Sequence, residues 1–117
     1  MVRTKVKKLN AELLKQNAII QVVGCIPPGY VSTYGIIASL AGFPENARYV
    51  GWVLSGLPQD TPIPWHRVIN SMGKISLPSD GGVHLYQRDL LEAEGIKFCG
   101  GRVDMSKYCW KDDLREI

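Results

Sequence analysis

Apolar residues recur at helical spacing in the first quarter of the chain. Leu9, Leu13, Ile20 and Val23, with Ala18, Ile19 and Val22 beside them, form a broad stripe, which predicts a core-facing helix over residues 9–25. Asn10 is positioned to cap it. Pro27-Pro28-Gly29 ends it, because proline lacks the N–H a helix needs and clashes with the preceding turn. A second, shorter apolar set follows at Ile36, Ile37, Leu40 and Ala41, with Ser32 or Thr33 as cap and Gly42 as terminator. Pro44 marks the first turn of a third helix running to about Ser55. Ala47, Val50, Gly51 and Leu54 share one side of it, and Arg48, Trp52 and Ser55 another. Two short helices joined around a glycine have the form of a helix-turn-helix, although αα-corners that never meet DNA share that pattern.

The period then changes. Val68–Leu77 alternates around Asn-Ser-Met-Gly, a hairpin signal, and residues 78–82 read as a loop. A helix is expected over 83–94, with Leu85, Leu90, Leu91 and Tyr86 inward and Gly95 just past its end. Gly100-Gly101 between two short apolar runs predicts a terminal hairpin, with Tyr108 and Trp110 packing back on the domain. One domain over residues 9–110 is expected, between a basic flexible arm at 1–8 and a flexible tail at 111–117.

Composition narrows this picture a little. At 117 residues the chain can bury a core without staples. No apolar run approaches the ~20 residues of a membrane helix, and the basic N-terminus is not followed by a signal-like apolar stretch. Cys25, Cys99 and Cys109 are odd in number and lack C-x-x-C spacing, so free thiols in a reducing cytoplasm are expected. A net charge of +3 permits nucleic acid without demanding it, so any DNA contact must come from a local patch.

The chemistry concentrates at Pro64-Trp65-His66-Arg67-Val68-Ile69-Asn70, a histidine on a proline-bounded turn. A nucleophile–histidine–carboxylate relay needs Cys, Ser or Thr against the imidazole. Here the preceding residue is an indole. Glu94 is a candidate partner for His66, although the linear sequence does not join them. His84 opens a helix and is expected to be solvent-exposed. No His, Asp or Glu spacing matches a metal site, and no glycine-rich phosphate loop occurs, so neither metal nor cofactor is expected.

Pro64-Trp65-His66-Arg67-Val68-Ile69 resembles the Pro-Cys-His-Arg-Val motif of the O6-alkylguanine-DNA alkyltransferases, with tryptophan at the acceptor cysteine. That replacement is the hallmark of the alkyltransferase-like proteins. Ile26-Pro27-Pro28-Gly29-Tyr30-Val31-Ser32-Thr33-Tyr34-Gly35, Ala47-Arg48-Tyr49-Val50-Gly51 and Glu92-Ala93-Glu94-Gly95 resemble further stretches of that family, in the right order over roughly residues 15–100. The resemblance implies a mainly α fold with small β-hairpins, a winged-helix-like, helix-turn-helix domain of the alkyltransferase C-terminal type. It implies binding to duplex DNA carrying O6-alkylguanine through the minor groove, with the damaged nucleotide flipped into a pocket.

Site residues follow from the same resemblance. Arg48 matches the arginine finger that fills the vacated stack. Tyr34 matches the tyrosine beside the 3′ phosphate and flipped base. Ser32, Thr33, Ala47 and Gly51 belong to the DNA-binding stretches, and backbone carbonyls near Trp65 and Val68 are expected to read the guanine. His66, Glu94 and Arg67 are implied to support the pocket. With no thiolate to prepare, no residue is assigned a catalytic role, and the protein is expected not to be an enzyme. It would instead mark the lesion for nucleotide excision repair proteins of the UvrA type, as a cytoplasmic monomer that joins the nucleoid when bound. Two alternatives stay open: an active alkyltransferase using another thiol, and a winged-helix regulator. Some positions depart from the family pattern. They are Leu77-Pro78-Ser79-Asp80, Ile36, the terminal extensions, and Trp52, whose side, core or DNA, the sequence leaves open.

Overall fold

A computed structural model describes residues 2–76 and 82–111. Among the described residues, five helices and two pairs of two-residue strands follow in the order α1 (Val2–Gly24), β1 (Ser32–Thr33), α2 (Tyr34–Leu40), α3 (Ala47–Ser55), a 3-10 turn (Trp65–Arg67), β2 (Val68–Ile69), α4 (Gly82–Ala93), β3 (Phe98–Cys99), β4 (Arg102–Val103) and α5 (Met105–Tyr108).

α1 begins at Val2, so the expected arm at 2–8 is helical and Asn10 lies within the helix, where it caps nothing. Only the C-terminal part of α1 reaches the core. Ile19 and Val23 are buried, whereas Leu9 and Leu13 are about half exposed, against the expectation that the whole stripe faces inward. α2 and α3 form the helix-turn-helix. Thr33 Oγ1 accepts from Ile36 N at 3.1 Å to start α2, and Gly42 ends it at φ +93°, a conformation L side chains rarely adopt. α3 starts at Ala47 and not at Pro44, which sits in the turn before it.

The apolar side chains form two cores. The first gathers Ile19, Val23, Ile26, Ile37, Ala38, Val50, Val53 and Val68, from α1, the helix-turn-helix and β2. The second gathers Val31, Ile69, Ile75, Leu91, Ile96, Val103 and Tyr108. β1 and β2 pair in parallel, Ser32 with Val68 and Thr33 with Ile69, and stand between the cores. Successive side chains of a strand point to opposite faces, so Val68 enters the first core and Ile69 the second.

This pairing replaces the hairpin expected over 68–77. Val68-Ile69 is claimed by a strand thirty-six residues earlier, and Asn70–Lys74 becomes a closed turn in which Asn70 N donates to Lys74 O and Gly73 N to Asn70 O. The terminal hairpin does form, with Phe98 opposite Val103 and Cys99 opposite Arg102 around Gly100 and Gly101, both at positive φ. Gly95 follows α4 at φ +92°, with Ile96 N donating to Leu91 O at 3.1 Å, a C-terminal cap. α4 turns inward only part of the face expected, Leu91 fully and Leu90 in part. Gln87 and Leu91 are buried, while Leu85 and Tyr86 are more than half exposed. Tyr108 is buried in the second core and Trp110 packs on the first. The loop expectation for 77–81 and the tail expectation for 112–117 lie outside the described residues. No helix among the described residues is long and apolar enough to cross a membrane.

Candidate nucleic-acid interface

Prolines on either side of Ile63 leave few backbone donors, so the chain closes a tight 3-10 turn. Trp65 N donates to Ile63 O at 2.8 Å and Arg67 N to Pro64 O at 3.1 Å. The turn aims three side chains differently. Trp65 faces a cleft, while His66 and Arg67 point toward the end of α4.

There they meet Glu94. His66 Nε2 donates to Glu94 Oε2 at 2.7 Å. Arg67 Nε donates to both carboxylate oxygens at 3.0 and 3.1 Å, and its Nη2 to Oε2 at 2.9 Å. Gly29 N donates to Oε1 at 3.0 Å. The other arm of Arg67 donates to Ile26 O at 2.9 Å. Burial alone would push the Glu94 carboxyl up. The hydrogen bonds from Arg67 foremost, then His66 and Gly29 N, overcome it and hold the pKa at about 2. Glu94 is therefore an anion that fixes both the His66 ring and the Arg67 fork.

The cleft in front of Trp65 has a volume of about 360 Å³ and draws its walls from three elements. Tyr34 of α2 and Gly51 and Leu54 of α3 form one side, Val83, Tyr86 and Gln87 of α4 the other, and Leu57–Gln59 an end. The Tyr86 ring lies 6.2 Å from Trp65, tilted by 40°. Tyr34 Oη is 2.8 Å from Ser76 Oγ, which ties α2 to the residues just after the Asn70–Lys74 turn. A Cβ at Gly51 would meet the Tyr34 ring at 3.7 Å, an ordinary contact. Internal packing thus does not require glycine there.

The expected site residues fall into groups. Tyr34, Gly51 and Trp65 share the cleft. Arg48 is exposed on α3, and Ala47 is partly exposed at its first turn. His66, Arg67 and Glu94 form one network. Ser32 and Thr33 do not lie on the surface as expected for DNA contacts. Ser32 is fully buried, its hydroxyl unpartnered among the described residues, and the Thr33 hydroxyl is spent on capping α2. Val68 is buried too. Its carbonyl accepts from Gln87 Nε2 at 3.1 Å, as the His66 carbonyl does at 3.0 Å, which leaves each one acceptor position.

Gln87, Tyr86, Val83 and Leu57–Gln59 escaped the sequence reading. A glutamine bound to carbonyls across the chain has no linear signal, and Tyr86 was read as an inward side chain of its helix and not as a site residue. His84, expected in solvent, is half-buried with Nδ1 enclosed and unpartnered among the described residues. The three cysteines are free, and none lines the cleft. Among the described residues, no three His, Cys, Asp or Glu side chains gather as a metal site requires.

The family model "6-O-methylguanine DNA methyltransferase, DNA binding domain" matches residues 15–96, from the middle of α1 to the end of the Glu94 network. The "DNA base-flipping protein" of Escherichia coli (strain K12) is 45% identical over 105 residues, 89% of this chain and 80% of that protein. The chain belongs to the alkyltransferase-like family. "Alkyltransferase-like protein 1" of Schizosaccharomyces pombe is a further member, 42% identical over 91 residues, 74% of this chain and 84% of that one. The solved S. pombe Atl1 structure, in complex with damaged DNA containing O6-carboxymethylguanine, superposes with a TM-score of 0.78 at 38% identity, covering 84% of this chain and 95% of that one. As in other members of the family, the fold is a helix-turn-helix DNA-binding domain.

Proposed function

We propose that this protein is a non-enzymatic sensor that binds O6-alkylguanine in duplex DNA through the minor groove, flips the damaged nucleotide into the Trp65 cleft and holds it for nucleotide excision repair proteins. The observation that carries this reading is the indole of Trp65 facing a cleft shared with Tyr34 and Gly51 of the helix-turn-helix. An indole offers an apolar face and one N–H donor but no atom suited to accept an alkyl group. His66 and Glu94, which would serve a thiolate in an alkyltransferase, here form a closed pair without a nucleophile beside them.

The pocket favours a flipped base on physical grounds. Flipping costs a few kcal/mol, and less for a weakly paired base, so O6-alkylation lowers the cost where the hydrogen-bonding edge is spoiled. Arg48 stands exposed on α3 to fill the vacated stack, where a planar guanidinium both stacks and donates. Trp65 and Tyr86 flank the space in which the base and its O6 substituent would lie. The held lesion, on distorted DNA, is what a UvrA-type protein would recognise, and the sensor acts as a monomer.

Titration of duplexes bearing O6-methylguanine, a larger O6-alkylguanine or no adduct, at stated salt, tests the reading. Tighter binding of the modified duplexes without transfer of labelled alkyl to protein is the expected outcome. Transfer of label would establish an alkyltransferase using another thiol. Equal binding to modified and plain duplex, with preference for one base sequence, would establish a regulator. Arg48→Ala should lose roughly tenfold or more in lesion affinity, about 1–3 kcal/mol for a lost stacking partner, with an unchanged melting temperature. Trp65→Cys should transfer alkyl weakly or not at all, since the cleft is shaped around an indole; efficient turnover to S-alkylcysteine would contradict this.

A further inference from the structure

Trp52 is the most exposed aromatic side chain on α3, at 62%. Neither core accounts for it: Val50 and Val53 are the inward residues of this helix, and the indole packs in neither cluster. It lies four residues after Arg48, hence about 40° around the helix from it and roughly 6 Å along the axis. It therefore shares the outward face from which Arg48 projects.

The indole is not loose. It stacks on Tyr49 with ring centroids 5.5 Å apart and planes 24° from parallel. Lys15 Nζ sits over Tyr49 at 4.4 Å and over Phe43 at 4.9 Å, and donates to Asn46 Oδ1 at 2.8 Å. A cation from α1 thus braces Tyr49, and Tyr49 braces Trp52. Asn46, just before α3, is engaged by the same lysine and does not cap the helix. The result is a stiff aromatic blade carried out into solvent on the helix-turn-helix.

We infer that Trp52 is a second wedge, which enters the minor groove beside Arg48 and unstacks a base step near the flipped nucleotide. Resting on the lesion-binding reading above, it adds a separate device to it. Proteins that bind the minor groove often insert apolar wedges between bases, and the kink they make widens the surface the DNA can wrap. A groove about 6 Å wide does not admit an indole lying across it, so the ring enters by its exposed edge as a partial wedge, one face kept on Tyr49 and the free face against a base. An offset of roughly 6 Å from Arg48 puts that insertion about two base steps from the flipped nucleotide, at about 3.4 Å per step. The Tyr49 and Lys15 brace fixes the indole before binding and so reduces the entropy lost on insertion.

Duplexes carrying O6-methylguanine, with 2-aminopurine placed one, two or three steps away on either side, test the wedge. The wild-type protein should raise 2-aminopurine fluorescence most at about two steps, and end-labelled duplexes should report bending by energy transfer. Trp52→Ala should abolish the rise, reduce the bend and weaken binding about tenfold to modified and unmodified duplex alike. Trp52→Phe should keep most of each effect, and both variants should melt as the wild type does. Arg48→Ala should instead lose the preference for the modified duplex. Wild-type affinity and bending in Trp52→Ala would overturn the wedge and leave the indole to a protein partner. Weakened binding with no 2-aminopurine response in the wild type would also overturn it, because the ring would then lie on the backbone. Failure of the wild type to bind any duplex would overturn the lesion-binding reading itself.

Discussion

Glu94 carries the most weight of any single residue. Its carboxylate receives hydrogen bonds from Arg67, His66 and Gly29 N, and its pKa is lowered from 4.5 to about 2. A carboxyl whose pKa is depressed on folding stabilises the native state at pH values above its unfolded value. That contribution is lost as pH falls from about 4.5 toward 2. Urea unfolding between pH 7 and pH 2.5 should show an acid limb in this window, and Glu94→Gln should flatten it. At neutral pH the same variant should lose about 2 kcal/mol, the range for hydrogen bonds to a charged group. An unchanged acid limb in Glu94→Gln would mean other carboxylates set it. The motif around Trp65 was legible in the sequence because Pro64-Trp65-His66-Arg67-Val68 resembles the alkyltransferase motif; residue chemistry alone gave only a histidine on a proline-bounded turn. The contact between His66 and Glu94 was not, since twenty-eight residues separate them and no local periodicity encodes their meeting.

Among the elements, those built from neighbouring residues were the legible ones. The helix-turn-helix and the hairpin around Gly100-Gly101 follow from local caps and turn chemistry. β2 does not, because its two residues satisfy their backbone against β1 and not against the segment that follows. Likewise, Leu85 and Tyr86 are apolar in sequence yet face outward: Tyr86 lines the cleft, and Leu85 reaches neither the cleft nor a core. Gly73 links these elements. It lies at φ +79°, and a Cβ there would sit 2.5 Å from Val103 O, while its own carbonyl accepts from Val103 N at 2.8 Å. Gly73→Ala combines a disfavoured backbone with a backbone clash, so it should cost about 2 kcal/mol or more, read as a lower urea midpoint with an unchanged m-value. A neutral Gly73→Ala would show that the Asn70–Lys74 turn can shift away from β4.

For the whole molecule, the Glu94 network is a meeting of distant segments. Its bonds join residues 65, 28 and 27 apart, and Arg67 adds a link over 41. Each closes a long loop, and the entropy of closing loops must be met before such contacts stabilise anything. The turn that aims Trp65 is held from both sides, by the end of α4 through Glu94 and by the residues just past α1 through the Ile26 carbonyl. On the proposed reading, the cleft that would take a base is complete only in the folded chain. If the Trp65 cleft holds a flipped base as proposed, the cross-braced carboxylate makes that capture a property of the assembled fold and of no single segment.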